Sequence, residues 1–189
     1  MACLCGCARQ PSLAEVAHGI APFDSLATVH LGMDAHVFAG ARPTATVAEY
    51  TGYGDSVGTF HVSFRFSRPP LVRNSIPEGS LDGVVATRSF ASDALARPVW
   101  DSVHAGVVRA FHRPPDGCFT VRGTFGGSGL VAIWDEPAAE LIVGSSSMPA
   151  EAAARLRRSP SGIVLILQTR AEAEHLASIQ SRRRVACPR

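Results

Sequence analysis

Three residues that could bind a metal ion lie close together near the start of the chain: His30, Asp34 and His36, in the sequence VHLGMDAH. Two imidazoles and one carboxylate form a ligand set that suits a transition metal when they occupy one side of the ion. The alternative is that they are polar residues of a surface loop. We favour the loop, so this group predicts no metal centre by itself.

A second pattern, His61-Val-Ser63-Phe64, matches half of the motif of two-histidine phosphoesterases. In those enzymes paired histidines act as general acid and general base, and a second copy of the motif must lie on a facing strand. The residues that follow His104 and His175 do not supply that copy convincingly. The half-motif therefore does not predict this activity.

Cysteine and lysine usage limits the chemistry further. The five cysteines are an odd number with three in a terminal cluster, which does not indicate a disulfide framework. They are Cys3, Cys5, Cys7, Cys118 and Cys187. The terminal cluster could bind a soft metal, but we favour a disordered terminus, and Cys118 is expected to be a buried structural residue. Every basic residue is arginine, which excludes a Schiff-base lysine.

Length and charge define a broad class of protein. The chain has 189 residues, of which 46% are hydrophobic, and a net charge of +2. This length is sufficient to bury a core as one domain, and the charge balance indicates neither a nucleic-acid nor a membrane partner. No window approaches the roughly 18–20 apolar residues of a membrane span, and the first residues lack the pattern of a signal peptide. We therefore expect a cytoplasmic protein.

The first half of the chain predicts mainly strands. Short β-branched or aromatic runs within residues 23–51 favour strands separated by turns. The alternation in TFHVSFRF, residues 59–66, predicts a half-buried strand. Its buried face would carry Phe60, Val62, Phe64 and Phe66. We further expect a helix over residues 81–95 and strands over 105–111 and 118–125.

The second half alternates strand and helix. The apolar runs at residues 130–134 and 141–143 predict strands, and Pro149 lies near a helix start. A Ser-Pro-Ser-Gly break, a buried strand at 163–167 and a helix from about Arg170 follow. We predict a flexible tail (1–22), one α+β or α/β domain (23–181) with a mixed sheet and flanking helices, an internal boundary near 124–129, and a C-terminal tail (182–189).

The same segment carries a family resemblance. The sequence LVAIWDE, residues 130–136, is similar to a strand that ends in an acidic run, and residues 140–143 are similar to a short strand that follows it. Further matches fall in register without a gap at Glu151, Leu156, Arg158, Ser161, Gly162, Thr169, Ala173, Glu174 and Leu176. This pattern resembles the first half of the 3,4-dihydroxy-2-butanone 4-phosphate synthases, which make a riboflavin precursor.

Two upstream stretches extend the resemblance in the opposite order. GTFHVS, residues 58–63, is similar to a strand that follows the first region in the family, and residues 102–124 are similar to the family's Arg-Pro-Gly-His to His-Thr-Glu stretch. Here both precede the first region. The resemblance thus implies exchanged halves, as in a circular permutation, which proteins tolerate when their termini lie close together.

The resemblance also implies a site. The family's reaction rearranges ribulose 5-phosphate and releases formate, using Mg²⁺ and carboxylates that transfer protons. On the matching positions, His104, Asp135 and Glu136 would be catalytic, with His104 and Glu136 as metal ligands. Arg109 and Thr124 would contact the substrate. The family's acidic run is shortened here to DEPAAE, residues 135–140, and its Arg-Glu-x-Glu core is absent.

We therefore expect a diverged relative of these synthases that acts on or binds a small anionic or polyhydroxylated metabolite. If it is an enzyme, the resemblance implies a Mg²⁺-dependent lyase or isomerase of the riboflavin-biosynthesis type and a homodimer. Two alternatives remain open. One is a non-catalytic ligand-binding or interaction module, and the other is a β-barrel-like cyclase of secondary metabolism that shapes its substrate in an apolar pocket.

Overall fold

Nine β-strands form one sheet in the computed structural model, which describes residues 17, 20–48, 52–68, 77–122, 127–179 and 183–187. The strands are β1 (Thr46–Ala48), β2 (Gly52–Val57), β3 (Phe60–Arg68), β4 (Glu78–Phe90), β5 (Gly117–Arg122), β6 (Ser128–Asp135), β7 (Ala139–Ser147), β8 (Ser161–Thr169) and β9 (Arg183–Val185). The helices are α1 (Ala35–Ala41), α2 (Asp93–Phe111), α3 (Ala150–Leu156) and α4 (Arg170–Ile179), with a short 3-10 helix at Phe23–Ser25.

The strand order is β1-β2-β3-β4-β8-β7-β6-β5-β9, and every neighbouring pair of these strands is antiparallel. Helix α2 carries the chain from β4 to β5, and the chain then returns strand by strand until β8 pairs with β4. The fold class is α+β. The mixed sheet that we expected is wrong, because the successive strands from β5 to β8 are sheet neighbours joined by connections that reverse the chain direction.

Helices α2 and α4 cover opposite faces of the sheet. The ring centroids of His104 in α2 and Trp134 in β6 are 5.5 Å apart. The next residue, Asp135, pairs with Arg170 of α4. Because successive side chains of a strand point to opposite faces, we call the side of Trp134 the α2 face and the side of Asp135 the α4 face. No described helix is long and apolar enough to cross a membrane.

Strand β3 confirms the alternation read from its sequence. The four predicted inward residues, Phe60, Val62, Phe64 and Phe66, are all buried. Phe38 of α1 packs on two of these rings, with centroid distances of 4.6 Å to Phe64 and 5.4 Å to Phe66. The aromatic face of β3 therefore packs against α1, within a core that also includes residues of β4, β6, β7, β8 and α2.

Several predicted elements are wrong in type. Residues 26–31, where a short strand was expected, contain turns. Residues 35–40 lie in α1 instead of a strand, because Asp34 accepts a hydrogen bond from the backbone N–H of His36 and caps a helix there. Residues 81–90 belong to strand β4 instead of a helix, and their β-branched Val84, Val85 and Thr87 fit a strand between β3 and β8.

Residues 105–111 belong to α2, where we expected a strand. The buried positions of this helix, Ala96, Trp100 and Val107, recur at helical spacing along the face that meets the sheet. The β-branched residues of this segment favour a strand, but the helical spacing of the buried residues decides the structure. Tertiary packing therefore overrides local propensity in this segment.

The C-terminal residues are part of the sheet. Strand β9 pairs with β5, and a disulfide joins Cys118 to Cys187 with a Cα–Cα distance of 5.1 Å. The expectations of a tail from residue 182 and of no disulfide are therefore wrong, because the sequence separation of 69 residues hides this contact. At the other end Ala17 is fully buried, so the predicted N-terminal tail partly joins the core.

The predicted boundary near 124–129 falls inside a hairpin. Strands β5 and β6 pair continuously from Gly117 opposite Ile133 to Arg122 opposite Ser128. A connection between two paired neighbours in one sheet does not separate two domains. Residues 123–126 themselves lie outside the described part of the chain.

Candidate functional site

A cleft of about 390 Å³ lies between the first half of α2 and the sheet. This size falls within the range of small-molecule sites, about 300–1,000 Å³. The helix side is formed by Asp93, Ala96, Arg97 and Trp100, and the sheet side by Thr120, Ser128, Gly129, Leu130, Ser145, Ser146, Ser147 and Ser161. The lining therefore combines one large aromatic residue with an unusual number of hydroxyl groups.

The hydroxyl groups form rows because of the strand register. Ser147 pairs with Ser128 of β6 on one side and with Ser161 of β8 on the other, so three serines lie side by side on three neighbouring strands. Directly opposite residues have Cβ atoms about 4.5–5.5 Å apart. A second row places Thr120 next to Leu130 and Leu130 next to Ser145. The cleft floor is therefore a regular array of hydroxyl groups.

Most of these hydroxyls are free to bind a ligand. Ser161 donates a 3.4 Å hydrogen bond to the backbone oxygen of Ser146. Among the described residues, the side chains of Thr120, Ser128, Ser145 and Ser147 form no hydrogen bond. A hydroxyl can donate one hydrogen bond and accept two. The floor therefore offers both donors and acceptors.

The helix side adds an aromatic surface and charges at the rim. Asp93, Arg97 and Trp100 recur at helical spacing, which places them on one face of α2. Trp100 is only 6% exposed, and its indole N–H has no hydrogen-bond partner among the described residues. Arg97 is largely exposed, and its Nε atom lies 3.8 Å from Oδ2 of Asp101 in a surface ion pair. A buried donor without a partner is costly, so a ligand that accepts from Trp100 would remove that cost.

His104 lies one turn beyond Trp100 and belongs to an aromatic stack. Its ring is nearly parallel to that of Trp100, with centroids 4.9 Å apart, and the ring of Trp134 is tilted against it with centroids 5.5 Å apart. Burial in this apolar site lowers the pKa of His104, and the negative charge of Asp101 partly opposes the shift. Its Nε2 atom is buried and has no hydrogen-bond partner among the described residues.

The two predicted acidic residues have separate partners. Asp135 pairs with Arg170 on the α4 face. Glu136 accepts a 2.8 Å hydrogen bond from Arg113, which also pairs with Asp116 at 2.5 Å. None of these contacts involves His104, which lies on the α2 face. The structure therefore does not show His104, Asp135 and Glu136 acting on one another.

The predicted metal and substrate contacts lie only partly within the described residues. Within the described part of the chain, no group of three or more His, Cys, Asp or Glu side chains could hold a metal ion. Arg109 is exposed on α2, and Thr124 lies outside the described residues. The Mg²⁺ requirement implied by the resemblance stays a prediction. In the first His/Asp group, Asp34 caps α1 and His36 lies in that helix instead of in a surface loop.

Sequence reasoning missed the cleft residues. The signal that could have found part of them is the run Ser145-Ser146-Ser147 at the end of an apolar strand, where hydroxyls replace the expected hydrophobic residues. Ser128, Ser161 and Trp100 carry no such signal. They join the site only through strand pairing and helix packing.

Comparisons with known proteins add no family to this geometry. No family model matches the chain, and no curated protein or solved structure gives a significant match. The cleft must therefore be interpreted from its own chemistry.

Proposed function

We propose that this protein binds a small polyhydroxylated metabolite in the cleft beneath α2. The observation that carries the proposal is the row of Ser128, Ser147 and Ser161 within the cavity, in which the side chains of Ser128 and Ser147 form no hydrogen bond with any described residue. Several hydroxyls at fixed spacing complement a ligand that presents several hydroxyls of its own. An apolar ligand would leave these groups without partners, which weakens binding.

The aromatic surface and the rim fit the same class of ligand. The nearly buried Trp100 can cover the apolar side of a sugar-like ring or chain, and its indole N–H can donate to a ligand oxygen. The exposed guanidinium of Arg97 favours a ligand with an acidic group at the cleft entrance. We propose binding without catalysis, since the described residues of the cleft lining include no histidine and one carboxylate, Asp93.

Ligand binding can be followed through the intrinsic fluorescence of Trp100. The chain contains two tryptophans, and Trp134 is fully buried, so a Trp134→Phe background leaves Trp100 as the sole reporter. Titration with a panel of sugars, sugar acids and sugar phosphates should give saturable changes for at least one compound. The Ser128→Ala/Ser147→Ala variant should bind that compound about tenfold more weakly, because two hydrogen bonds of ordinary strength are lost.

Ser63→Ala is the matched control, since Ser63 is a half-buried strand serine on the α4 face, away from the cleft. It should bind the compound as the parent protein does. If no compound on the panel causes a saturable change, or if the double variant binds normally, the proposal is wrong.

The resemblance to dihydroxybutanone phosphate synthases provides a test for catalysis. If the parent reaction occurs, ribulose 5-phosphate and Mg²⁺ should release formate, and His104→Ala should abolish that release. Binding of a sugar phosphate without formate supports the non-catalytic module. Stabilisation by apolar polyketide-like compounds alone would support the cyclase instead. The homodimer and the cytoplasmic location stay predictions.

A further inference from the structure

A second cavity of about 550 Å³ lies at the same end of the sheet. Its wall is formed by the loop between α3 and β8, residues 157–160, together with the ends of β4, β7 and β8. Strand pairing sets Ser89 opposite Gly162 and Gly162 opposite Ser146, in one row on the α4 face. A Cβ atom on Gly162 would lie 3.3 Å from the Ser146 hydroxyl. The absence of a side chain there leaves that hydroxyl accessible.

The charges around this cavity have one sign. Arg157 and Arg158 line it, both are exposed, and neither forms an ion pair with any described residue. No aspartate or glutamate is among the described residues that line it. Arg88 also borders the cavity, but its guanidinium lies over the Phe90 ring at 5.0 Å and is therefore engaged elsewhere. Two unpaired arginines and several hydroxyls favour an anion with several oxygens.

The backbone at Arg157 has a conformation that glycine adopts more easily. Helix α3 ends with Arg157 in the left-handed region, at φ 51° and ψ 44°. The N–H groups of Arg157 and Arg158 donate to carbonyls at the end of the helix, which is the arrangement that glycine usually completes. A non-glycine residue is disfavoured in this conformation. Arg157→Gly should therefore relax the backbone while it removes the charged side chain.

We propose that this second cavity is an anion site that holds a phosphate or sulfate group. Arg157 and Arg158 supply the positive charge, and the hydroxyls of Ser89, Ser146 and Ser159 supply further hydrogen bonds. The inference does not depend on the proposed function of the cleft beneath α2. The two cavities share Ser146, Ser147 and Ser161, whereas Arg157 and Arg158 line only the second cavity, so variants of these arginines test the anion site alone.

Pyrophosphate is the probe for this site. Isothermal titration at constant ionic strength should show saturable binding to the parent protein. Arg157→Gln and Arg158→Gln should each weaken it about tenfold, because each removes charged hydrogen bonds. The double variant Arg157→Gln/Arg158→Gln should weaken it further, and its charge-matched control is Arg68→Gln/Arg155→Gln, since both of these arginines are exposed and outside the cavity lining, and Arg155 lies on α3 itself. The control should bind like the parent.

Arg157→Gly separates binding from folding. Glycine relieves the left-handed backbone at this position, so the variant should be more resistant to urea and still bind pyrophosphate about tenfold more weakly. Absence of saturable binding by the parent protein would overturn the proposal. Equal weakening in the Arg68→Gln/Arg155→Gln control would also overturn it, because the effect would then report net charge only.

Discussion

The side-chain amide of Gln168 donates a 2.9 Å hydrogen bond to the carboxylate of Glu140 across strands β8 and β7. Gln168 is fully buried and Glu140 is 9% exposed. Both residues belong to a row of paired strand residues on the α4 face. The row continues from Gln168 to Gly83 and Arg65, and from Glu140 to Asp135. A buried carboxylate without a donor would be costly, so Gln168 makes the burial of Glu140 tolerable.

We therefore predict that Gln168→Leu lowers the free energy of unfolding by about 2–3 kcal/mol, because it leaves the Glu140 carboxylate without its buried donor. Glu140→Leu/Gln168→Leu should recover much of this loss, since two apolar residues need no hydrogen bond. Urea denaturation of the parent, both single variants and the double variant measures the coupling. If the effects of the single variants simply add, the two side chains do not act as a pair.

Stability should depend on pH through His104. Burial against Trp100 and Trp134 lowers its pKa in the folded protein. The unfolded chain takes up a proton near the ordinary value of about 6.5, while the folded chain resists it. The contribution of neutral His104 is therefore fully present above about pH 6.5 and is lost as the pH falls from there through the lowered folded-state pKa.

Unfolding free energies between about pH 8 and pH 5 test this dependence, in the range where histidine changes charge. His104→Phe keeps an aromatic ring in the stack and should remove this part of the slope. His61→Gln changes an exposed histidine of β3 and should leave the slope unchanged. An unaltered slope in His104→Phe would contradict the assignment.

The disulfide between Cys118 and Cys187 should stabilise the second half of the chain. Cys118 is fully buried on β5, and the bridge closes a loop with a sequence separation of 69 residues. Loop-closure entropy for a loop of this length corresponds to about 4 kcal/mol in the chain-entropy model. We predict that Cys118→Ser/Cys187→Ser unfolds at a lower temperature than the parent. Dithiothreitol should lower the melting temperature of the parent and leave that of the variant unchanged.

The thiol state in the cell also tests the expected location. Disulfides persist in oxidising compartments and are rare in the cytoplasm. Rapid alkylation of cell extracts followed by mass analysis would show whether Cys118 is free or bridged. A bridged Cys118 would weigh against the cytoplasmic prediction, and a free thiol would agree with it.

Two glycines should respond in opposite ways to substitution by alanine. A Cβ atom on Gly129, in the cleft wall, would overlap the backbone oxygen of Ser145, whereas Gly40 has no atom within 4 Å of its Cβ position. Gly129→Ala should therefore cost about 1–3 kcal/mol and weaken ligand binding in the cleft. Gly40→Ala, in helix α1, should be neutral or stabilise by up to about 1 kcal/mol. Urea denaturation distinguishes the two, and equal effects would contradict the packing.

Several elements could be predicted from the sequence because their signals are local. The alternation of Phe60, Val62, Phe64 and Phe66 defines β3, since period two is a property of a strand itself. The apolar runs within β6, β7 and β8, and the helix start after Pro149, have the same local character. The prediction failed at β4 and at residues 105–111 of α2, where local composition and long-range packing disagree.

The sequence by itself determined the alternation of β3, the strands from β6 to β8, the helices between and after β7 and β8, and the absence of lysine chemistry. Only the tertiary structure decided the antiparallel order of the sheet, the bridge between Cys118 and Cys187, and the row of Ser128, Ser147 and Ser161 beneath Trp100. The physical reason is that periodicity and propensity act over a few neighbouring residues. A cleft requires the register of strands that are distant in the chain, and packing of the whole core fixes that register.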